Sequence, residues 1–215
     1  MSGDFTLEEI ETGRRLFARE WGFVAGAGSK ESLPPMQGVE IAFAGRSNVG
    51  KSSLVNALTS RKALARVSNT PGRTQEINFF NSGAGLFLAD LPGYGYARAP
   101  GTKVAAWTRL VGEYLAGRAN LARVFVLVDS RRGLKEVDEK VLKQLDNSAV
   151  SYAIVLTKTD ELKPGATAES VNSVSADIAR RAAAFPIVFP TSARTGAGLP
   201  ELRAAIARVL AERAT

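Results

Sequence analysis

The feature that most constrains this chain is an apolar run that leads directly into a glycine-rich loop. Residues 41–44 predict a buried parallel strand, and the G-x-x-x-x-G-K-[ST] spacing is then completed by Gly45, Gly50, Lys51 and Ser52. Glycines at these places let successive backbone N–H groups converge on phosphate oxygens. A helix predicted over 53–59 would point its positive N-terminal end at the same anion. The stretch therefore predicts a phosphate-binding loop.

Each residue of this loop is a candidate contact for a nucleotide. Lys51 can reach the β- and γ-phosphates, and the Ser52 hydroxyl can ligate Mg²⁺. The predicted contacts are Gly45, Arg46, Ser47, Asn48, Val49, Gly50, Lys51 and Ser52. A chance glycine turn before a helix is the alternative, but strand, loop and helix occur here in the required order.

Composition limits the possible class of protein. A chain of 215 residues suits a single α/β domain. The chain has no run of about 18 apolar residues, so no membrane span is predicted. The N-terminus has no apolar signal-peptide core. The chain has no cysteine, which fits a cytoplasmic protein, and no histidine, which excludes imidazole as a base or metal ligand.

Positive charge is concentrated in the middle of the chain. Residues 46–143 carry 16 basic and 7 acidic side chains, a net +9, whereas 1–45 carry −3 and 144–215 carry +1. This excess of positive charge is larger than the binding of one triphosphate would require. A solvated basic face is one interpretation, and a polyanionic partner is the other.

The chain divides into an extension, 1–38, and a domain, 39–215. In the extension, Thr6 and Glu9 can form a capping box for a helix over 6–21, with its inner face lined by Leu7, Ile10, Phe17 and Trp21. We expect the extension to pack on the domain. After the phosphate loop, strands predicted at 76–81, 85–90, 123–129, 152–156 and 187–189 alternate with helices at 102–114, 134–145, 168–184 and from Gly198. This alternation predicts a mostly parallel sheet covered by helices on both faces.

A second motif follows a predicted strand. Asp90, Leu91, Pro92 and Gly93 form D-x-x-G at the carboxyl end of that strand, where ligands gather in such sheets. Asp90 can hold Mg²⁺ through a water, and the Gly93 N–H can meet a γ-phosphate. An ordinary aspartate-proline-glycine turn is the alternative for this motif taken alone.

Two later strand ends carry residues that can recognise guanine. The first is Thr157-Lys158-Thr159-Asp160, whose terminal carboxylate can accept from guanine N1–H and N2–H₂ together. Adenine offers neither donor on that edge, so it would leave the acceptor unpaired. The second is Thr191-Ser192-Ala193, where a backbone N–H can meet guanine O6. Taken together, the four motifs favour a GTPase over a kinase or an ATPase.

These motifs resemble those of the translation-factor-like GTPases, and two longer stretches narrow the resemblance. The segments 70–80 (TPGRTQEINFF) and 90–97 (DLPGYGYA) closely resemble the bacterial EngB family, also called YihA or YsxC. The resemblance runs from about Ile41 to the last helix. It implies a three-layer, Ras-like α/β fold with one antiparallel edge strand, to which this chain adds an N-terminal helical extension.

The resemblance also implies residue roles. It places Thr74 as an Mg²⁺ ligand beside Ser52 and Asp90, and puts a segment at the nucleotide that comprises Gly72, Arg73, Thr74, Gln75 and Glu76. A hydroxyl in a loop can ligate the metal only while the γ-phosphate is present. Thr70 is the rival to Thr74 in this role. Thr157 stands where most GTPases have asparagine, as is usual in this family.

Function follows from the same resemblance. It implies a protein that binds GTP and GDP, acts in assembly of the large ribosomal subunit through rRNA and ribosomal proteins, and is needed for cell division and septation. We expect a cytoplasmic monomer that does not bind DNA. The alternative is a nucleotide-sensing module for a protein partner in division, with hydrolysis incidental.

The catalytic residues are expected to include Lys51, Thr74, Gly93 and Asn48. Tyr94 stands after D-x-x-G where Ras has its water-positioning glutamine, so we expect slow intrinsic hydrolysis. In potassium-dependent relatives an asparagine at the place of Asn48 helps to hold K⁺ beside the phosphates. The alternative is that Asn48 only shapes the loop backbone.

Overall fold

The computed structural model describes residues 5–61, 64–65, 76–95 and 101–213, with backbone alone for 101–107. Within these residues the chain forms seven strands, namely β1 (Gly22–Ala27), β2 (Val39–Gly45), β3 (Ile77–Asn81), β4 (Leu86–Asp90), β5 (Leu121–Asp129), β6 (Tyr152–Thr157) and β7 (Ala184–Pro190). The helices are α1 (Leu7–Phe17), α2 (Lys51–Thr59), α3 (Gly101–Gly117), α4 (Glu136–Asn147), α5 (Ala166–Ile178) and α6 (Leu199–Arg213). None of the described helices is long and apolar enough to cross a membrane.

The strands form one sheet in the order β1-β3-β4-β2-β5-β6-β7. From β4 to β7 every neighbouring pair is parallel. Strand β3 runs antiparallel to β4, and β1 pairs antiparallel with the other side of β3. The expected mostly parallel α/β sheet is therefore confirmed. The carboxyl ends of its parallel strands meet at one edge, where ligands bind in such folds.

Helices cover both faces of this sheet. Along β2, Ile41 and Phe43 belong to one buried cluster, whereas Ala42 and Ala44 belong to the other. This alternation follows from the period of two in a strand, with both faces buried. The first cluster is completed by α1, α2 and α6, and the second by α3, α4 and α5. Both faces of the central strand β2 are therefore covered, and the domain has three layers: helices, sheet and helices.

The N-terminal segment differs in part from the sequence prediction. The capping box of Thr6 and Glu9 is confirmed, but α1 ends at Phe17 instead of Trp21. The prediction that Leu7 lies on the inner face is wrong, because its side chain is 89% exposed. Strand β1 was not predicted at all. Its sequence, GFVAGA, has no polar–apolar alternation, and its pairing with β3 is what makes it a strand.

Helix α1 lies very close to helix α6. A Cβ on Gly13 would come within 2.5 Å of the Ala204 backbone nitrogen, so only glycine allows this approach. At the start of the helix Arg208 donates to Glu9 at 2.6 Å and lies over the ring of Phe5. These contacts attach α1 to the last helix of the chain.

Helix α5 is also shorter than predicted. It ends at Ile178, although the alanine-rich stretch up to Ala184 favours a helix by intrinsic propensity. Ala184 instead begins β7 and pairs with Tyr152 of β6. Sheet pairing therefore overrides local propensity at this point.

A buried charged cluster lies near the start of β2, at the end of that strand opposite the phosphate loop. Glu40 is 1% exposed and accepts a hydrogen bond from the Tyr114 phenol at 2.7 Å. The Arg118 guanidinium pairs with the same carboxylate and also donates to the Pro34 carbonyl at 2.7 Å. The cluster joins helix α3, strand β2 and the N-terminal segment.

Removal of the cation from this cluster should destabilise the fold strongly. We expect Arg118→Ala to lower the free energy of unfolding by about 3–5 kcal/mol, because it leaves a buried carboxylate without its counter-charge. Arg109→Ala, which breaks an exposed ion pair with Glu113 on the same helix, is the matched control and should change stability little. Urea denaturation of both variants measures the difference, and equal stabilities would contradict this view of the cluster.

Candidate functional site

The phosphate loop joins the end of β2 to the start of α2, and its two motif glycines are required for different reasons. Gly50 has φ = 101°, a left-handed conformation that side chains disfavour. At Gly45 the reason is space, since a Cβ there would lie 2.8 Å from Val49 Cγ1 and 3.0 Å from Leu127 Cβ. The loop is therefore tightly folded, with the first turn of α2 directly behind it.

Two guanine-motif residues at the carboxyl end of β6, on the far side of β5, brace this loop. The buried Thr157 hydroxyl donates to the Val49 carbonyl at 2.7 Å, and Lys158 Nζ donates to the Asn48 carbonyl at 2.9 Å. Asn48 has φ = 62° and Lys158 has φ = 60°, so both adopt left-handed backbone conformations. The structure thus brings two of the predicted motifs into direct contact.

The D-x-x-G segment lies on the other side of the loop. Asp90 ends β4 and its carboxylate is bound by Lys51 Nζ, so these two predicted site residues meet. The Leu91 N–H donates to the Phe43 carbonyl at 3.0 Å, which continues the pairing of β4 with β2. Gly93 is pressed against the loop, since a Cβ there would lie 3.2 Å from Ser47 Cα.

The expected guanine-reading carboxylate is held in place by two donors. Ser192 Oγ donates to Asp160 Oδ1 at 2.5 Å, and Arg194 Nε donates to Oδ2 at 2.7 Å. The hydrogen bond from Ser192, reinforced by Arg194, lowers the pKa of Asp160, so this group is an ionised acceptor at neutral pH. Thr191 is fully buried and donates to the Leu156 carbonyl at 2.9 Å. Sequence reasoning missed Arg194, although it directly follows the motif.

A second carboxylate at this edge was also missed. Asp129 ends β5, is 4% exposed, and accepts from Lys158 Nζ at 3.1 Å. Arg131 donates to both of its oxygens, at 2.8 and 2.6 Å, and also pairs with Glu161. The hydrogen bonds from Arg131 and Lys158 lower the pKa of Asp129 well below its usual range. The sequence signal that could have revealed Asp129 is its position at the end of a buried strand, beside the other motifs.

The remaining predicted contacts lie partly outside the described residues. Thr70 and the segment 72–75, which includes the predicted ligand Thr74, are not described. Glu76 is described and precedes β3, with its carboxylate beside Gly26 of β1.

The contacts described above bring the phosphate loop, D-x-x-G and the guanine motifs together at one edge of the sheet.

The donors at this edge fit a magnesium–nucleotide complex. Ser52 offers a hydroxyl in the first turn of α2, and Asp90 offers a carboxylate. Across the described ranges, no group of three or more histidine, cysteine, aspartate or glutamate residues could hold a metal. Mg²⁺ does not need such a cage, because it usually binds one or two protein oxygens together with phosphates and waters.

The known proteins that match this chain are GTP-binding proteins. A family model described as 50S ribosome-binding GTPase matches residues 40–158. The chain is 60% identical over 206 residues to the probable GTP-binding protein EngB of Rhodopseudomonas palustris strain HaA2, a match that covers 95% of both chains. It is 57% identical over 217 residues to the protein of that name from Bradyrhizobium diazoefficiens, with full coverage of both.

Solved structures show the same fold. A crystal structure of a probable GTP-binding protein engB superposes with a TM-score of 0.65 at 25% identity, over 81% of this chain and all of that one. Era in complex with MgGDPNP and nucleotides 1506–1542 of 16S ribosomal RNA superposes with a TM-score of 0.62 at 22% identity. That match covers 81% of this chain and 57% of Era.

Base selectivity tests the predicted role of Asp160. The unaltered protein should bind GDP far better than ADP, because the carboxylate pairs with two donors that adenine lacks. Asp160→Asn should weaken GDP binding by at least about 100-fold, since two charge-assisted hydrogen bonds are lost. The variant should favour xanthosine diphosphate, whose edge suits an amide. Titration calorimetry with the three nucleotides measures these affinities.

Glu161→Gln is the matched control for this substitution. It neutralises the adjacent carboxylate, which pairs with Arg131, and should leave the preference for GDP over ADP intact. Equal affinity of the unaltered protein for GDP and ADP would rule out guanine recognition by this site.

Proposed function

Because the chain belongs to the EngB family of GTP-binding proteins, we propose that it is a GTP-dependent switch in assembly of the large ribosomal subunit. The observation that carries this proposal is the convergence of all the described motifs at one sheet edge, in a chain that matches a model of 50S ribosome-binding GTPases. Chains of this family hydrolyse GTP. In this proposal the ribosomal role is what makes the protein necessary for normal cell division and septation.

Nucleotide binding would exchange partners that already exist in the structure. Lys51 would move from Asp90 to the β- and γ-phosphates, and the Asp90 carboxylate would then be free for the magnesium shell. Mg²⁺, held by Ser52, Asp90 and Thr74, would neutralise charge on the phosphates. The backbone of residues 45–50, with the N-terminus of α2, would surround the phosphate oxygens.

The γ-phosphate would be sensed by two segments. Gly93 lies against the phosphate loop, and in this proposal its N–H meets the γ-phosphate. The segment 72–75 would add the Thr74 hydroxyl to the metal only in the presence of GTP. Loss of the γ-phosphate would release both segments, which gives the protein two states for a partner to distinguish.

Intrinsic hydrolysis should be slow. The Tyr94 side chain is 4% exposed, and its phenol donates to Asp138 Oδ1 at 2.9 Å. A phenol bound in this way does not orient a water for attack, so Tyr94 does not replace the glutamine of Ras. The protein would then act mainly as a timed binding switch in the cytoplasm.

The basic surface offers a contact for ribosomal RNA. Arg131 is already paired with Asp129 and Glu161, so it is not part of the RNA contact proposed here. Arg132 and Lys135 follow it, are exposed, and have no ion pair with any other described residue. They belong to the segment that holds most of the positive charge. We propose that these two residues contact RNA phosphates, and that the protein acts as a monomer without binding DNA.

The alternative function is a nucleotide-sensing module for a protein partner in division, with hydrolysis incidental. The two functions differ in their dependence on salt. Each phosphate contact releases counterions, so RNA-mediated association should weaken steeply as salt rises. An apolar protein interface would be much less sensitive.

Cosedimentation with large-subunit particles separates these functions. With a GTP analogue bound, the double variant Arg132→Glu/Lys135→Glu should lose at least about 10-fold in particle affinity, because repulsion replaces two phosphate contacts. Its GTP affinity should stay nearly unchanged. Lys163→Glu/Arg180→Glu changes charge equally in the nearly neutral C-terminal segment and should bind particles normally. Association that is absent, or insensitive to salt, would favour the protein-partner function.

Asn48 raises the question of a monovalent cation. A K⁺ ion bridging β- and γ-phosphate oxygens would supply the positive charge that an arginine finger otherwise gives. However, φ = 62° at Asn48 provides a purely local reason for asparagine, which tolerates the left-handed conformation better than most residues. We propose that the Asn48 side chain helps to hold K⁺. In the alternative, Asn48 only shapes the loop backbone.

Asn48→Gly distinguishes the two roles because glycine keeps the left-handed backbone but removes the side-chain oxygen. If the side chain holds K⁺, single-turnover GTP hydrolysis should be faster in potassium than in sodium at matched ionic strength. Asn48→Gly should abolish that difference and spare most of the GTP affinity. Equal rates of the unaltered protein in the two salts would exclude the cation role.

A further inference from the structure

A buried carboxylate on α4 contacts the nucleotide site but belongs to none of its motifs. Asp138 is 0% exposed, and its Oδ1 accepts the Tyr94 phenol O–H at 2.9 Å. Its Oδ2 accepts the Lys135 backbone N–H at 2.9 Å and lies 3.3 Å from Nε of Arg46. One carboxylate therefore accepts a hydrogen bond from the residue after D-x-x-G and lies within ion-pair distance of an arginine of the phosphate loop.

The backbones of these two segments are also joined. The Tyr94 N–H donates to the Gly45 carbonyl at 3.2 Å, and the Ser47 N–H donates to the Tyr94 carbonyl at 3.0 Å. Arg46 and Tyr94 form an isolated parallel bridge. The Tyr94 phenol donates to Asp138, and Nε of Arg46 faces the same carboxylate. The carboxylate thus closes a clamp around the pairing of the two segments.

Gly93 lies inside this clamp, one residue before Tyr94. The close approach of Gly93 to Ser47 depends on the same backbone pairing. Any shift of Tyr94 would move the Gly93 N–H, which is the group proposed to meet the γ-phosphate. A displacement there would affect GTP, and would affect GDP much less.

We propose that Asp138 is a positioning residue for the γ-phosphate end of the site. It holds Tyr94 and Arg46 so that the Gly93 N–H lies where the γ-phosphate binds. The residue touches neither the nucleotide nor the metal, and acts through Tyr94. This inference rests on GTP as the ligand, and it is independent of the ribosomal partner.

The experiment compares Tyr94→Phe, Asp138→Asn and the double variant. Tyr94→Phe keeps the ring but removes the phenol O–H. Asp138→Asn removes the negative charge that faces Arg46, and it replaces one of the two acceptor oxygens, which serve Tyr94 and Lys135, with a donor. Each change should reduce affinity for a non-hydrolysable GTP analogue about 10-fold relative to GDP, and slow single-turnover hydrolysis by a similar factor. The double variant should bind the GTP analogue no more weakly than the more strongly affected single variant, because both substitutions disrupt the same clamp.

Tyr114→Phe is the matched control. It removes the other buried phenol–carboxylate hydrogen bond, from Tyr114 to Glu40 at 2.7 Å, near the opposite end of β2. It should lower thermal stability to a similar extent as Tyr94→Phe, yet leave the ratio of GTP-analogue to GDP affinity unchanged.

The outcomes separate this inference from the proposed function. If Tyr94→Phe lowers stability like Tyr114→Phe and leaves both the affinity ratio and the hydrolysis rate unchanged, Asp138 is only structural and the inference fails. Failure of the unaltered protein to bind particles would instead overturn the ribosomal proposal. Tyr94→Phe is the decisive variant should Asp138→Asn fail to fold, because phenylalanine preserves the buried ring.

Discussion

The site depends on hydrogen bonds that hold the phosphate loop from outside. A loop that turns its N–H groups toward an anion leaves its carbonyls to find donors elsewhere, and a buried carbonyl such as that of Val49 is costly when unpaired. Here the carbonyl of Gly45 accepts from Tyr94, that of Asn48 from Lys158, and that of Val49 from Thr157. These donors come from two other strand ends. The parallel sheet therefore supplies the support of the loop as well as its position.

Charge balance at the sheet edge follows the same logic. Three carboxylates there already have cations: Lys51 for Asp90, Arg194 for Asp160, and Lys158 with Arg131 for Asp129. A nucleotide would therefore replace existing partners at these positions and would not meet bare charges. The replacement costs little at Asp160, because the Arg194 side chain is 74% exposed and can be solvated when it moves. Asp129 is nearly buried, so its pairs would persist and keep Lys158 in place.

The sequence predicted the sheet edge well because four short motifs each follow a strand. The parallel rule then brings them together without further information. Asp129 was missed although its place at a strand end was a signal, whereas Asp138 could not be predicted, because its role depends on a partner far away in the chain. That partner, Tyr94, is 44 residues from Asp138. The sequence also could not predict β1, which is a strand only because β3 offers an edge, nor the exposure of Leu7, whose periodicity suited an inner face.

Buried carboxylates lie near both ends of β2, Glu40 on the strand itself and Asp138 on α4, and they differ in how fully they are paired. Near the start of β2, Glu40 has a full counter-charge in Arg118 and a phenol in Tyr114, so that end is rigidly joined to α3. Beyond its other end, burial raises the pKa of Asp138, against the hydrogen bonds from Tyr94 and the Lys135 N–H, and Arg46 is farther away at 3.3 Å. The less fully paired carboxylate is therefore the one that contacts the segment after D-x-x-G. In the proposed switch this is the segment whose position the γ-phosphate would bias, and a ligand can bias it only as far as its affinities for the two positions differ.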